Sequence, residues 1–191
     1  NHIAPRFSEL EQQMVGHIPP GGNWSNIPES VPSKRLEQIR KSGGRTTYYG
    51  RLRWEKPSYT ISTYFNRIGN GCHIHPEQDR LISIREGARL QSFPDSYRFL
   101  GSKAAIYKQI GNAVPPLLGY VISKHLSKYI KGKAFIDLFA GAGGLSDGFR
   151  MSGLKPIAAI EMEKHYFDTY IENLQSKSTD GFIHGDICEQ K

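Results

Sequence analysis

The side chains and amides best placed for chemistry here sit in one glycine-rich run and two acids that follow it. Asp137-Leu138-Phe139-Ala140-Gly141-Ala142-Gly143-Gly144 leaves an apolar stretch and opens a helical one. Glycines at 141, 143 and 144 permit positive φ and let a ligand approach the backbone closely. The N–H groups at the start of the following helix favour a negatively charged ligand group. Glu161 closes a second apolar stretch, where a carboxylate can hold both hydroxyls of a ribose. Asp186 follows a third, placed to accept an adenine amino proton. Together these residues suit an adenosine-bearing cofactor, and by themselves they fit a dinucleotide or S-adenosylmethionine equally. The run is not a true GxGxxG, because Gly141-Ala142-Gly143 is followed by Gly144-Leu145-Ser146.

The elements that must position these residues read as strand, glycine turn, helix, strand, helix, strand. Strands are expected at 134–139, 156–161 and about 181–184, with helices at 144–152 and 164–174. That alternation marks a parallel, doubly wound sheet. Upstream, Pro115-Pro116 suits the first turn of a helix, and Leu117, Leu118, Val121, Ile122, Leu126 and Ile130 give it an apolar stripe that Gly132 ends. Ser83 and Glu86 have capping-box spacing for a helix that stops before Pro94. Strands are expected at 58–63 and 81–84 from their β-branched and aromatic residues. The first 55 residues are broken by Pro19-Pro20-Gly21-Gly22, Pro28, Pro32 and Gly43-Gly44. One short helix there is capped by Ser8 with Glu11, turning Leu10, Met14 and Val15 inward, and another runs from about Lys34 to Arg40 after Ser33.

Charge divides the chain. Residues 1–133 hold 20 Lys and Arg against 9 Asp and Glu, whereas residues 134–191 hold 5 against 9. A basic lobe beside an acidic one suits a polyanion such as DNA on the first. The 2 cysteines, Cys72 and Cys188, form no CxxC pair, which argues against a thiol-redox motif or a four-cysteine zinc site. Cys72-His73-Ile74-His75 has no partner cluster at ligand spacing and reads as a polar loop, so no metal is expected. No apolar run approaches the roughly 20 residues that span a bilayer, and Asn1-His2-Ile3-Ala4-Pro5-Arg6 lacks the pattern of a signal peptide. A cytoplasmic, bacterial-type, nucleoid-associated setting is expected.

Asp137-Leu138-Phe139-Ala140-Gly141-Ala142-Gly143-Gly144-Leu145-Ser146 resembles the first motif of the cytosine-5 DNA methyltransferases. Glu161-Met162 resembles the second motif, and Gly185-Asp186-Ile187 the third. The run Gln109-Ile110-Gly111-Asn112-Ala113-Val114-Pro115-Pro116 resembles the tenth, and the run from Arg80 to Pro94 the ninth. Ile18–Trp24 and Tyr49–Trp54 are similar to family sequence preceding the ninth. The resemblance covers nearly the whole chain, in an order that implies circular permutation, with the ninth and tenth motifs ahead of the first three. It implies a partial Rossmann-like, S-adenosylmethionine-dependent methyltransferase fold, α/β, with a small irregular α+β N-terminal region. It implies a division into residues 1–100, basic and bearing the ninth motif, and 101–191, bearing the tenth-motif helices and strands one to three of the cofactor half.

The cofactor implied is S-adenosylmethionine, leaving as S-adenosylhomocysteine. Its pocket falls on Asn112, Val114, Phe139, Ala140, Gly141, Gly143, Gly144, Leu145, Glu161, Met162, Asp186 and Ile187. Double-stranded DNA is the implied substrate, with Arg51, Arg53, Arg85 and Arg89 as candidate contacts. Family chemistry adds a thiolate to C6 of a flipped cytosine before C5 takes the methyl group. That thiolate lies in a Pro-Cys step after the fourth strand, and neither cysteine here follows a proline. No catalytic residue is therefore expected in this chain, and it is expected to be inactive alone. Glu172-Asn173-Leu174 mimics the family's Glu-Asn-Val but falls inside a helix, as a solvated face. Arg51-Leu52-Arg53 mimics an Arg-x-Arg motif without its preceding Gln.

A sheet cut after three strands would expose an apolar edge and face. A second chain or a longer parent polypeptide, carrying the fourth to eighth motifs and the target-recognition domain, is expected to cover it. A restriction-modification setting suits such an enzyme. The alternative is a non-catalytic DNA-binding or scaffold subunit. A nicotinamide-dependent oxidoreductase is a third class, which binding of NAD in place of S-adenosylhomocysteine would reveal.

Overall fold

A computed structural model describes residues 2–174 and 180–189. It forms two compact units, Asn1–Gly87 and Ala88–Lys191. By compactness the boundary falls after Gly87, whereas the motif-based division is drawn after residue 100. Phe93, Tyr97 and Phe99, which lie between the two, form an aromatic cluster of the second unit, with centroids 4.7–5.3 Å apart.

In the first unit, α1 (Glu9–Gly16) begins at Ser8, whose hydroxyl accepts the Glu11 N–H while the Glu11 carboxylate accepts the Ser8 N–H. The helix α2 (Lys34–Ser42) is capped by Ser33 and closed by Gly43 in the left-handed region at φ 66°. Two short parallel strands follow, β1 (Gly50–Arg51) and β2 (Cys72–Ile74). Met14, Val15, Leu36, Ile39, Tyr49, Ile74 and Leu81 form one buried cluster with their neighbours. The helix α3 (Ile84–Leu90) starts at the expected Ser83–Glu86 capping box.

Two expected strands do not form. Residues 58–63 have no partner strand among the described residues; Ile61 is buried and Ser62 hydrogen-bonds the His73 ring, but strand propensity without a ladder does not make a strand. Of residues 81–84, Leu81 makes one isolated antiparallel bridge to Ile74, and Ile84 already belongs to α3.

The second unit takes in the end of α3, and its next helix is α4 (Lys103–Asn112), capped by Ser102. Then come α5 (Pro116–Leu126), β3 (Ala134–Asp137), α6 (Gly144–Met151), β4 (Lys155–Glu161), α7 (Lys164–Leu174) and β5 (Phe182–His184). The three strands form a parallel sheet in the order β3-β4-β5. This mixed α/β arrangement is consistent with a methyltransferase fold. No helix of the described residues is long and apolar enough to cross a membrane.

The apolar stripe read for α5 lies on an exposed side of the helix. Leu117, Leu118, Val121, Ile122 and Leu126 are all 39–62% exposed. The helix instead packs on α6 through its small side, where Gly119 and Ser123 are buried. A Cβ at Gly119 would come within 2.8 Å of the Leu145 carbonyl, and Ser123 hydrogen-bonds Ser152. Gly132 lies beyond the helix, which ends at Leu126. Ile136 and Ile157 of the sheet are also more than half exposed. Parallel strands in sequential order with right-handed crossovers, the general rule, carry their helices on one face, and the exposure of Ile136 and Ile157 agrees with this.

Candidate functional site

The loop between β3 and α6 is built for close approach. Gly141 and Gly143 have φ of 53° and 87°, which L side chains resist, and a Cβ at Gly141 would project into open space. The loop is pinned where the Ala140 N–H donates to Ile160 O and the Gly143 N–H to Ala140 O. Gly143 caps α6 without a side chain, so no protein group of the cap meets the first-turn amides. Ser146 donates to Asp137 at 2.5 Å and Tyr170 donates to Ser146 at 3.1 Å, tying β3, α6 and α7 together. Burial and the nearby Asp137 carboxylate push the Tyr170 phenol up to about 12, so it stays a donor.

Glu161, at the end of β4, is half-buried with both oxygens already aimed: Oε2 accepts the Gly141 N–H at 2.7 Å and Oε1 the Glu163 N–H at 2.8 Å. The carboxylate is thereby fixed at the mouth of the glycine loop. Met162 beside it is 60% exposed, and Phe139 is 81% exposed. Asp186 follows β5 and accepts the Cys188 N–H at 2.9 Å; Ile187 begins a single 3-10 turn. The Gly185 N–H donates to Glu161 O, which joins the second and third segments.

The segment after α4 folds back to the same loop. The carbonyl of Val114 lies so close to Gly144 that a Cβ there would overlap it. Asn112 donates to the Tyr166 hydroxyl at 3.4 Å, and Val114 is 38% exposed. Three residues that sequence reasoning missed hold this return. Gln109, 1% exposed, donates to Leu100 O and accepts from Thr169 on α7 at 2.7 Å. Thr169 in turn accepts the Leu100 N–H, and Tyr97 donates to Ala142 O at 2.6 Å inside the loop. Their signal lies in partners 45–69 positions away, which no local pattern carries.

Of the candidate DNA contacts, Arg51 requires correction. It is 5% exposed and donates to Ile18, Val15, His75 and Gln78 carbonyls and to Asp79, so it cross-links the first unit from within. Arg53 is exposed. Arg85 is half-buried, and Arg89 forms a two-pronged pair with Asp95 at 2.7 and 2.8 Å. Asn173 is more than a solvated helix face: it accepts the Arg98 N–H and donates to Arg98 O, while Glu172 pairs with the Arg98 guanidinium.

The Cys72–His75 segment is internal. Burial lifts the Cys72 thiol to about 11, away from thiolate chemistry. The His73 ring is pushed down to about 4 by burial, and His75 Nδ1 accepts the Glu77 and Gln78 N–H groups.

A glycine loop, a strand-end acid fixed by backbone amides and a returning helix end thus meet in one parallel α/β unit. The family model for C-5 cytosine-specific DNA methylases matches residues 6–128 and 133–191, and the chain belongs to this family. It is 42% identical over 137 residues to the type II methylase M.HgiDII of Herpetosiphon aurantiacus, covering 69% of this chain and 38% of that protein. It is 37% identical over 148 residues to DNA (cytosine-5)-methyltransferase 1A of Oryza sativa subsp. japonica, 70% of this chain and 10% of that one. Type II methyltransferase M.Eco47II of Escherichia coli is 36% identical over 121 residues, 62% and 28% of the respective lengths. The chain thus spans well under half the length of these relatives.

Proposed function

We infer that the chain supplies the cofactor half-site of a DNA (cytosine-5)-methyltransferase acting on duplex DNA. The observation that carries this is the convergence of Val114 and Gly144, which brings the Asn112–Val114 segment beside the loop that Glu161 pins. In this reading the loop Phe139–Leu145 receives the cofactor, and the uncapped start of α6 faces its carboxylate. Glu161, held by two backbone amides, takes the ribose hydroxyls; Met162 and Ile187 flank the adenine, and Asp186 accepts its amino proton. Phe139, Ala140, Gly141, Gly143, Asn112 and Val114 complete the wall. The fit is supported by the open space over Gly141 and by three exposed apolar side chains on these segments, Phe139, Val114 and Met162. Bound S-adenosylmethionine supplies the methyl group and leaves as S-adenosylhomocysteine.

The motif order is read as a circular permutation, supported by the two separate stretches of family match and by the short join between α5 and β3. The thiolate step is assigned to the remainder of the enzyme, on a longer polypeptide or a second chain, with the target-recognition domain. The exposed stripe of α5 and the bare face at Ile136 and Ile157 are what that remainder would cover. Relatives named as type II enzymes support a restriction-modification setting in the cytoplasm. The chain alone is then inactive. Methyl transfer to duplex DNA, assayed with the chain alone and with a chain bearing the Pro-Cys segment, tests this: activity is expected only with both, and activity of the chain alone would overturn it.

A further inference from the structure

Resting on the DNA reading above, we propose that the first unit carries a single-phosphate subsite for the DNA backbone, held by Arg53, Lys56 and Thr46 over Gly21-Gly22. The cleft measures about 180 Å3 and is lined by these residues and Tyr59 among others. That is below the roughly 300 Å3 at which sites for whole small molecules begin, so it suits one tetrahedral anion rather than a nucleoside. Its floor is set by backbone: the Gly21 N–H donates to Arg51 O at 3.1 Å and the Arg51 N–H to Gly22 O at 3.0 Å. Gly21 has φ 76°, and a Cβ there would come 3.0 Å from Arg53 Cδ and 3.3 Å from its Nη1, so the bare glycine admits the guanidinium.

The cations are uncommitted. Arg51, Arg80 and Arg89 each pair with a carboxylate, whereas among the described residues none pairs with Arg53 or Lys56. Two unpaired cations beside one cleft attract a counter-charge, and guanidinium geometry matches phosphate oxygens. Exposed Tyr59 lies at the cleft and exposed Trp54 next to Arg53 in sequence, the aromatic–basic mixture that nucleic-acid surfaces use. Buried Arg51, the neighbouring cation in the wall, fixes the loop instead of meeting a ligand.

The test uses the 191-residue chain and the double variant R53Q/K56Q, which changes exposed side chains and is checked for an unaltered urea midpoint. A labelled duplex is titrated across a salt series, and amide spectra are recorded with duplex and with inorganic phosphate. The variant is expected to bind duplex about tenfold more weakly, with its log affinity against log salt slope reduced by about 1, the loss of one phosphate contact. The amides of Gly21, Gly22 and Thr46 are expected to shift with duplex in the parent and not in the variant. Duplex binding with an unchanged slope and unmoved amides would overturn the subsite while leaving the DNA reading standing. Shifts with inorganic phosphate but not with duplex would overturn DNA as the source of the anion. Failure of the parent to bind duplex at low salt would overturn the DNA reading itself.

Discussion

The carbonyl oxygen of Val114 rests against the α-carbon of Gly144, thirty residues along the chain, with no room for a methyl group between them. Val114 follows the helix that Gln109 ties to α7; Gly144 opens the helix that follows the glycine loop. Gly144→Ala is therefore expected to destabilise the second unit by about 1–3 kcal/mol, the usual cost of overpacking. On the proposed cofactor reading it is also expected to weaken binding of S-adenosylhomocysteine, because the two walls must part. Urea denaturation checks the first effect, and a change under 0.5 kcal/mol would mean that the contact is soft.

Glu161 offers a sharper separation of stability from binding. Its carboxylate accepts two loop amides and remains half-exposed. Glu161→Ala is expected to cut affinity for S-adenosylhomocysteine by roughly one to two powers of ten, since hydrogen bonds to a charged group are worth about 1.5–3 kcal/mol. Unchanged affinity in calorimetry would contradict the ribose assignment.

Arg51 serves structure where sequence suggested phosphate. Four carbonyls and Asp79 share its guanidinium. Arg51→Met leaves those acceptors buried without donors and is expected to cost about 3–5 kcal/mol. Its effect on unfolding should far exceed that of Arg53→Gln. Equal, small effects in the two urea curves would refute the cross-link.

The first unit should soften in mild acid. His73 is buried, which pushes its ring from the usual 6.5 down to about 4, and burial lowers His75 as well. The unfolded chain binds these protons first, so stability is full above pH 6.5 and falls as pH drops toward 4. For His73 alone the loss between pH 7 and pH 5 is about 2 kcal/mol. Urea midpoints at the two pH values check this, and His73→Gln is expected to flatten the dependence.

The exposed stripe of α5 should be dispensable for folding. Leu118→Lys and Val121→Lys lie at positions 51% and 62% exposed and are expected to change stability by no more than about 0.5 kcal/mol. They should reduce binding of a hydrophobic dye and block association with the remainder of the enzyme. Losses of several kcal/mol would show that the stripe is internal.

Local rules carried much of this architecture into the sequence. The caps at Ser8, Ser33 and Ser83 depend on residues three positions apart, and the strand–helix alternation after residue 133 depends on short windows. The acids at 161 and 186 were legible by position, since Glu161 closes β4 and Asp186 follows just after β5. What escaped depends on distant partners. Gln109 and Thr169 look like ordinary polar residues until α4 and α7 meet, and Tyr97 gains its meaning from Ala142. The period of α5 shows an apolar stripe but not which side meets α6; Gly119 and Ser123 are the buried residues, and the large side chains stay exposed. Residues 58–63 have strand-forming side chains and, among the described residues, no strand to pair with.

The proposed function requires that the segment ending at Val114 and the loop before Gly144 line one adenosyl cleft. Calorimetric titration of the chain with S-adenosylhomocysteine, repeated with NAD and with the variants Asn112→Ala and Glu161→Ala, tests it most directly. Saturable binding of S-adenosylhomocysteine that both substitutions weaken, and no binding of NAD, is expected. Binding of NAD alone, or S-adenosylhomocysteine binding indifferent to both substitutions, would contradict it.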